Sequence, residues 1–307
     1  MILLHPSEKL GAATWIDLLA PTAEEIEQVR QATGLRVPTE SDISEIESSS
    51  RLMFENDAYY VSTPLVAPRG EDELMLSPVG FVLSSRVLIT VRFAPIRSFD
   101  AAHDAFVAQS RRTAEEALLR IFEVVVDRSA DKLERAGAQC DELSRNAFRS
   151  AARGWVSGDL RAALRRVGNV ADRTSHMREA LLGIGRIAAF LMESGIEGAP
   201  PVSAARMKAV RGDVTSLTDY QAHLSAKVQF LLDATLGFIN IEQNEIVKTL
   251  TIASVAGIPP VLVVGIYGMN FRVMPELSWP FGYQMAIVLV VVSALIPVVC
   301  FKRRGWI

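Results

Sequence analysis

Few residues in this chain have the types and spacing that chemistry needs. His5, His103, His176 and His223 are scattered, and none stands at zinc-ligand spacing from another histidine or from Cys140 or Cys300. There is no phosphate-cradling glycine loop, dinucleotide fingerprint or nucleophile elbow. Glu115-Glu116 and Asp141-Glu142 sit among helix-forming residues and read as solvated faces, not as acid/base pairs. Catalysis leaves no sign here. The segment that stands apart is Tyr267-Gly268-Met269-Asn270, a neutral amide at the end of a long apolar run. Carbonyl and amide oxygens at such a point favour a cation without a fixed charge, because the last carbonyls of a helix carry the negative end of its dipole. A ring of neutral oxygens can hold an ion through its waters, whereas a carboxylate cage would bind it too tightly for passage. The plainer alternative is that Asn270 caps a helix at an interface.

Two apolar runs must position that segment. Thr249 to Met269 and Phe281 to Phe301 are each 21 residues without a charge. At about 1.5 Å per residue each spans about 30 Å, the thickness of one hydrocarbon core. Lys248 flanks the first run, and Lys302, Arg303 and Arg304 follow the second. The positive-inside rule therefore predicts a multi-pass protein of the cell (inner) membrane with both termini cytoplasmic and residues 271–280 outside. Neither run contains an ionisable side chain of the kind that marks a proton or ion relay, so a polar route through them requires several copies. Ala253, Gly257 and Gly265 permit close helix contact. Pro259 and Pro260 free the carbonyls of Val255 and Ala256, which need pore water or a neighbour as partner, or else the prolines simply kink the helix.

The first 248 residues carry a net −6 and the remainder +3, an acidic portion ahead of an apolar tail, and no basic nucleic-acid footprint is visible. Two distant cysteines suit a reducing compartment, and the N-terminus lacks the pattern of a signal peptide. Within the soluble portion, "TWIDLLAPTAEEIEQVRQATG" predicts a strand, then a helix with a Thr22/Glu25 capping box and a stop at Gly34. "PTESDISEIE" predicts a second short helix. Hairpins are expected around Glu55-Asn56-Asp57 and Ser84-Ser85-Arg86. From about Ser98 to Glu193 the pattern is helical, broken at "RGWVSGD", and reads as a long antiparallel helix pair. After the turn "SGIEGAPPVS", one helix is expected from about Ala204 to Met269, some 100 Å long. Its stripe Met207, Val210, Val214, Leu217, Leu224, Val228, Leu231 and Phe238, interrupted by Gln221 and Thr235, suits either contact with the soluble domain or self-association. The expected organisation is 1–203 an α/β and helical-hairpin domain, 204–248 a stalk helix, 249–270 a first transmembrane helix, 271–280 a loop, 281–301 a second transmembrane helix and 302–307 a basic tail.

"YGMNF" followed by "MPEL" is similar to the signature of the CorA family of magnesium and cobalt transporters. "GFINIEQNEIVKTLT", the Pro-Pro pair, the "FGY" opening of the second run and the terminal "KRRGWI" resemble that family too. The match is close over Val210 to Ile307 and looser at "TWIDLLAPT", "AYY" and "LITVRF". The resemblance implies a funnel-shaped homopentamer in membrane lipid that takes up hydrated Mg2+, also Co2+ and Ni2+, with no other cofactor. It implies that Gly268, Met269 and Asn270 form the outer selectivity element and that Glu276 gathers cations. Asn244 would line the inner pore, with Val247, Leu250 and Ile258 as apolar constrictions. Helical period places 244, 247, 251, 254, 258 and 262 near one face, which adds Thr251 and Leu262 to the lining. Val247 and Ile258 stand where some members have methionine, and Val261 where some have threonine. Regulatory Mg2+ would bridge carboxylates between neighbouring cytosolic domains and hold the closed state, with Asp213 and Asp219 the candidates. Related zinc transporters of the ZntB type tend to carry isoleucine at the position of Met269. A membrane-anchored sensor or scaffold is the reading from another class, and it leaves the YGMN-to-MPEL loop unexplained.

Overall fold

The computed structural model describes residues 1–5, 9–45, 51–70, 73–109, 112–151, 157–193, 203–269 and 274–306. The chain forms two compact units, residues 1–152 with 161–232, and 153–160 with 233–307.

The first unit is built on a six-stranded sheet. Its strands are β1 (Ile2–His5), β2 (Trp15–Leu19), β3 (Leu52–Glu55), β4 (Ala58–Pro68), β5 (Leu74–Ser84) and β6 (Leu88–Arg92), in the order β1-β2-β6-β5-β4-β3. Only β2 and β6 run parallel, pairing Trp15 with Leu88 and Ile16 with Ile89; the other neighbours are antiparallel. Successive side chains point to opposite faces of a strand. Trp15, Tyr59, Phe81, Leu83 and Leu88 therefore join one core, and Ile16, Leu18, Tyr60, Val82, Ile89 and Val91 the other. Both faces are apolar, so both need cover. The second core is closed by α1 (Ala23–Thr33), through Val29. The first is closed by α3 (Arg97–Val107), α4 (Ala114–Ala151), α5 (Ser157–Glu193) and the N-terminal part of α6 (Ala204–Tyr267).

Local chemistry sets most of these boundaries. Thr22 and Glu25 form the expected capping box, and Gly34 ends α1 at φ 74°, in the left-handed region that glycine enters without a steric penalty. Thr39 and Asp42 form a second capping box at α2 (Glu40–Ser44), whose Ile43 is buried. Asn56 and Asp57 both take positive φ, the requirement of a two-residue turn that matches strand twist, and they join β3 to β4. Strand β1 was not anticipated; its four residues are all half-buried and show no alternation. Pro64 and Pro78 face each other across β4 and β5, so two residues without a donor share one register position and both strands run on for 11 residues.

A polar network lies inside the first core. The Trp15 indole donates to Thr90 Oγ1 at 3.1 Å, and that hydroxyl donates to Asp17 Oδ1 at 2.7 Å. Arg92 grips the same carboxylate from Nε and Nη2, the latter at 2.8 Å, with side-chain exposures of 3% for Arg92 and 4% for Asp17. The guanidinium also lies 4.9 Å from the Phe99 ring centroid.

The apolar stripe on α6 is used within the chain: Met207, Val210, Val214, Leu224, Val228 and Leu231 are buried in the first core, and Gln221 is buried with them. Ion pairs fasten the same stretch to α4. Arg206 bonds Glu116 and, with Nη2 at 2.8 Å, Glu123; Lys227 bonds Asp141. Gly137 on α4 leaves room for the Tyr220 hydroxyl.

The second unit holds the rest of α6, a 3-10 turn at Pro275–Ser278 and α7 (Gly282–Arg303). Both helices contain stretches long and apolar enough to cross a membrane, with mean hydropathy 2.0 and 2.6, and neither stretch is covered by the chain. Helix α6 stops at Tyr267, ahead of the tripeptide that the expected span of 249–270 had included. After α7, Gly305 turns at φ 70° and Trp306 stacks on Phe301 at 5.4 Å.

Candidate functional site

C-terminal to Lys248, α6 carries no charged side chain, and its apolar stretch is not covered by the chain. Asn244 is exposed. Val247, Leu250, Ile258 and Leu262 are between 57% and 62% exposed, values far from those of a core helix. At 100° per residue, positions 244, 247, 251, 254, 258 and 262 fall within about 80° of arc, while Leu250 lies beside that arc. The half-buried Thr251 donates from Oγ1 to the carbonyl of Val247 at 2.8 Å, so its hydroxyl is committed to the backbone at this end of the segment. Thr249 does the same to Glu245 at 2.9 Å.

Pro259 and Pro260 lie inside the continuous helix. Their rings remove the donors that Val255 and Ala256 carbonyls would otherwise use. At the far end the Gly268 N–H donates to the Val264 carbonyl at 2.9 Å and the Met269 N–H to the Ile266 carbonyl at 3.2 Å, which tightens the last turn. A Cβ on Gly268 would sit 3.1 Å from the Val264 oxygen, so the turn suits glycine. Met269 is exposed just beyond the helix. Asn270 lies outside the described residues. Glu276 falls in the 3-10 turn at Pro275–Ser278. The structure thus sets Asn244, Val247, Leu250, Thr251, Ile258 and Leu262 on one helix and Gly268 and Met269 at its end.

The two carboxylates expected to sense metal differ in their surroundings. Asp213, exposed on α6, acts electrostatically on Asp127 of α4. Burial, then Glu123, Asp213 and Asp131, push the Asp127 carboxyl above the ordinary aspartate range, with Arg120 opposing. Asp219 is exposed and does not enter that group. Among the described residues no three His, Cys, Asp or Glu side chains are arranged to hold a metal ion. Asp127 lies on a different helix from Asp213, and the two influence each other only because α4 packs against α6.

Comparison with known proteins covers nearly the whole chain. The family model described as CorA-like Mg2+ transporter protein matches residues 11–303. The magnesium transport protein CorA of Escherichia coli K12 is 32% identical over 306 residues, covering 99% of this chain and 95% of the relative. The protein of the same name from Yersinia pseudotuberculosis serotype I is 32% identical over 309 residues, with the same coverage. Among solved structures, the complete CorA magnesium transporter of Methanocaldococcus jannaschii superposes with a TM-score of 0.75 at 21% identity, covering 99% of this chain and 95% of that one. It shares the fold.

Proposed function

Because this chain belongs to the family of CorA-like Mg2+ transporter proteins, we propose that it carries hydrated Mg2+ across a membrane as a channel-like homopentamer, with Co2+ and Ni2+ as further cargo. The observation that carries this reading is the open face of α6, from Asn244 to Leu262, with the helix closing at the Gly268 turn. Such a face on one chain lacks its partners, and copies of itself supply them. Five copies would turn Val247, Leu250 and Ile258 into apolar rings and the Gly268-Met269-Asn270 segment into a ring of neutral oxygens. Mg2+ gives up its water reluctantly, so recognition through that water fits the ion better than a dehydrating cage. Glu276 adds negative charge in the outer loop and draws cations towards the ring.

No nucleotide site is required to drive inward flux, since a divalent ion gains about 4.6 kcal/mol per 100 mV of membrane potential. Apolar rings gate such a path by dewetting. The curated relatives are magnesium transport proteins, which favours Mg2+ over Zn2+ as cargo. Family membership also replaces the scaffold reading, which had no use for the loop between the spans.

The test is complementation of cells that lack magnesium uptake. The wild-type chain is expected to restore growth at low Mg2+. Asn270→Ala, with equal membrane abundance, is expected to cut uptake about tenfold or more, equivalent to ~1.4 kcal/mol at the filter. A wild type without magnesium-dependent uptake overturns the assignment of cargo. Unchanged uptake by Asn270→Ala overturns the filter. Competition among Mg2+, Co2+, Ni2+ and Zn2+ in proteoliposomes ranks the ions.

A further inference from the structure

The first unit contains a cavity of about 510 Å3 that none of the residues assigned to transport lines. Its walls come from the end of β4, the start of β5, the N-terminus of α3 and one face each of α4 and α5. Five cations converge on it: Arg97 from α3, Arg128, Lys132 and Arg135 from α4, and Arg173 from α5. Glu73 and Asp131 also line it. Residues 128, 132 and 135 recur at helical spacing, so one face of α4 presents three like charges. Like charges at that spacing repel and lower stability unless something answers them.

Among the described residues, Arg97, Arg128, Lys132 and Arg135 make no ion pair, in contrast to Arg206 and Arg92, which are fully engaged with carboxylates. Burial, followed by Arg128, Arg97 and Arg135, holds the Lys132 ammonium below the ordinary lysine range. An anion in the cavity reverses that effect. Helix α3 also begins here with Ile96 at its N-cap, which supplies no capping side chain, so its first amides at Arg97 and Ser98 add to the positive field. Val66, Leu74 and Met177 add apolar surface to the lining. The volume falls within the range of small-molecule sites, about 300–1,000 Å3.

We propose that this cavity binds a small phosphorylated anion of the nucleoside diphosphate class, its phosphates held by the arginine forks and its organic half set against Val66, Leu74 and Met177. Guanidinium groups match phosphate oxygens in pairs, and several of them in one cavity select a ligand with at least two negative charges. The site sits on α4, and α4 is tied to α6 through Arg206 and Lys227, so occupancy stiffens the helices that the N-terminal part of α6 is fastened to. This assignment does not depend on the transport reading.

Full-length protein purified in detergent, free of divalent metal, tests it by calorimetric titration at low salt with ADP, pyrophosphate and adenosine. ADP is expected to saturate with a Kd below about 1 mM. Added salt weakens it, and Arg128→Gln with Arg135→Gln weakens it at least tenfold. Gln139→Trp keeps every charge but narrows the cavity, and is expected to weaken ADP as well; a thermal melt shows whether each variant is folded. Absence of saturation, or unchanged affinity in folded forms of both variants, overturns the site. Pyrophosphate binding as tightly as ADP overturns the nucleoside half of the assignment, and adenosine binding as tightly overturns the phosphate half.

Discussion

Gly183 on α5 lies so close to Thr63 on β4 that a Cβ on the glycine would stand 1.7 Å from the threonine Oγ1 and 2.8 Å from its Cβ. Thr63 is buried, so neither group can swing away. Gly183→Ala is expected to destabilise the first unit by about 1–3 kcal/mol, the usual range for overpacking. Thermal melts of the single variants and of Gly183→Ala with Thr63→Gly check it. The double variant should lose less than the sum of the singles, because the second change removes the obstacle that the first creates.

Asp17 and Arg92 form the buried charge pair of the sheet, with Thr90 and Trp15 satisfying the rest of the network. Asp17→Asn leaves the Arg92 guanidinium buried without its counter-charge. A loss of about 3–5 kcal/mol is expected. The readout is a lower unfolding midpoint, with Asp17→Asn paired to Arg92→Met recovering part of the loss.

His5 and His103 lie with ring centroids 3.8 Å apart. Burial first, then the His103 charge, lower the His5 pKa from its ordinary 6.5 to about 4, with Asp17 opposing. A folded-state pKa below the unfolded value means that the unfolded chain takes up a proton which the folded chain refuses. Stability from this group is therefore complete above about pH 6.5 and is lost as pH falls towards about 4. Thermal melts across that window should show a decline that His5→Asn reduces; an identical slope in the variant shows that His5 is not the cause.

Gly268 ends α6 with its N–H on the Val264 carbonyl, and a Cβ there would crowd that oxygen at 3.1 Å. Gly268→Ala is expected to shift the turn and lower Mg2+ uptake several-fold while leaving the thermal midpoint of the first unit unchanged. Uptake at matched expression decides it.

Asp213 adds to the repulsion that raises the Asp127 carboxyl. A raised aspartate pKa costs stability once pH passes the unfolded value, because the folded state then holds a charge it disfavours. Asp213→Asn should therefore raise the melting temperature slightly at neutral pH. If Asp213 belongs to a regulatory site, the variant also loses any rise in melting temperature produced by added Mg2+. Retention of the full Mg2+ effect removes Asp213 from that role.

Much of the fold was legible because its causes are local. Thr22 with Glu25, Gly34 and the Asn56-Asp57 turn act through backbone preferences that a few residues decide. The two charge-free runs announce the spans in the same way, through hydropathy along the chain. Strand β1 was not legible, since four half-buried residues carry no period. Helix α6 ends at Tyr267, short of the Met269 that hydropathy along the run suggests, because helix ends beside a glycine are weakly fixed by propensity.

The sequence by itself determined that the chain has an acidic soluble part, two apolar runs and a neutral tripeptide at the end of the first, because hydropathy, charge and capping are properties of neighbours along the chain. Only the tertiary structure decided what each surface meets. The stripe from Met207 to Leu231 could have served contact with the soluble domain or with another copy, and its burial among α4 and α5 assigns it to the first. Arg97, Arg128 and Arg173 come from three helices and reach one cavity through the topology of the sheet beneath them. Periodicity tells a side chain which way to point, but the partner that it finds there is set by contacts between segments far apart in the chain.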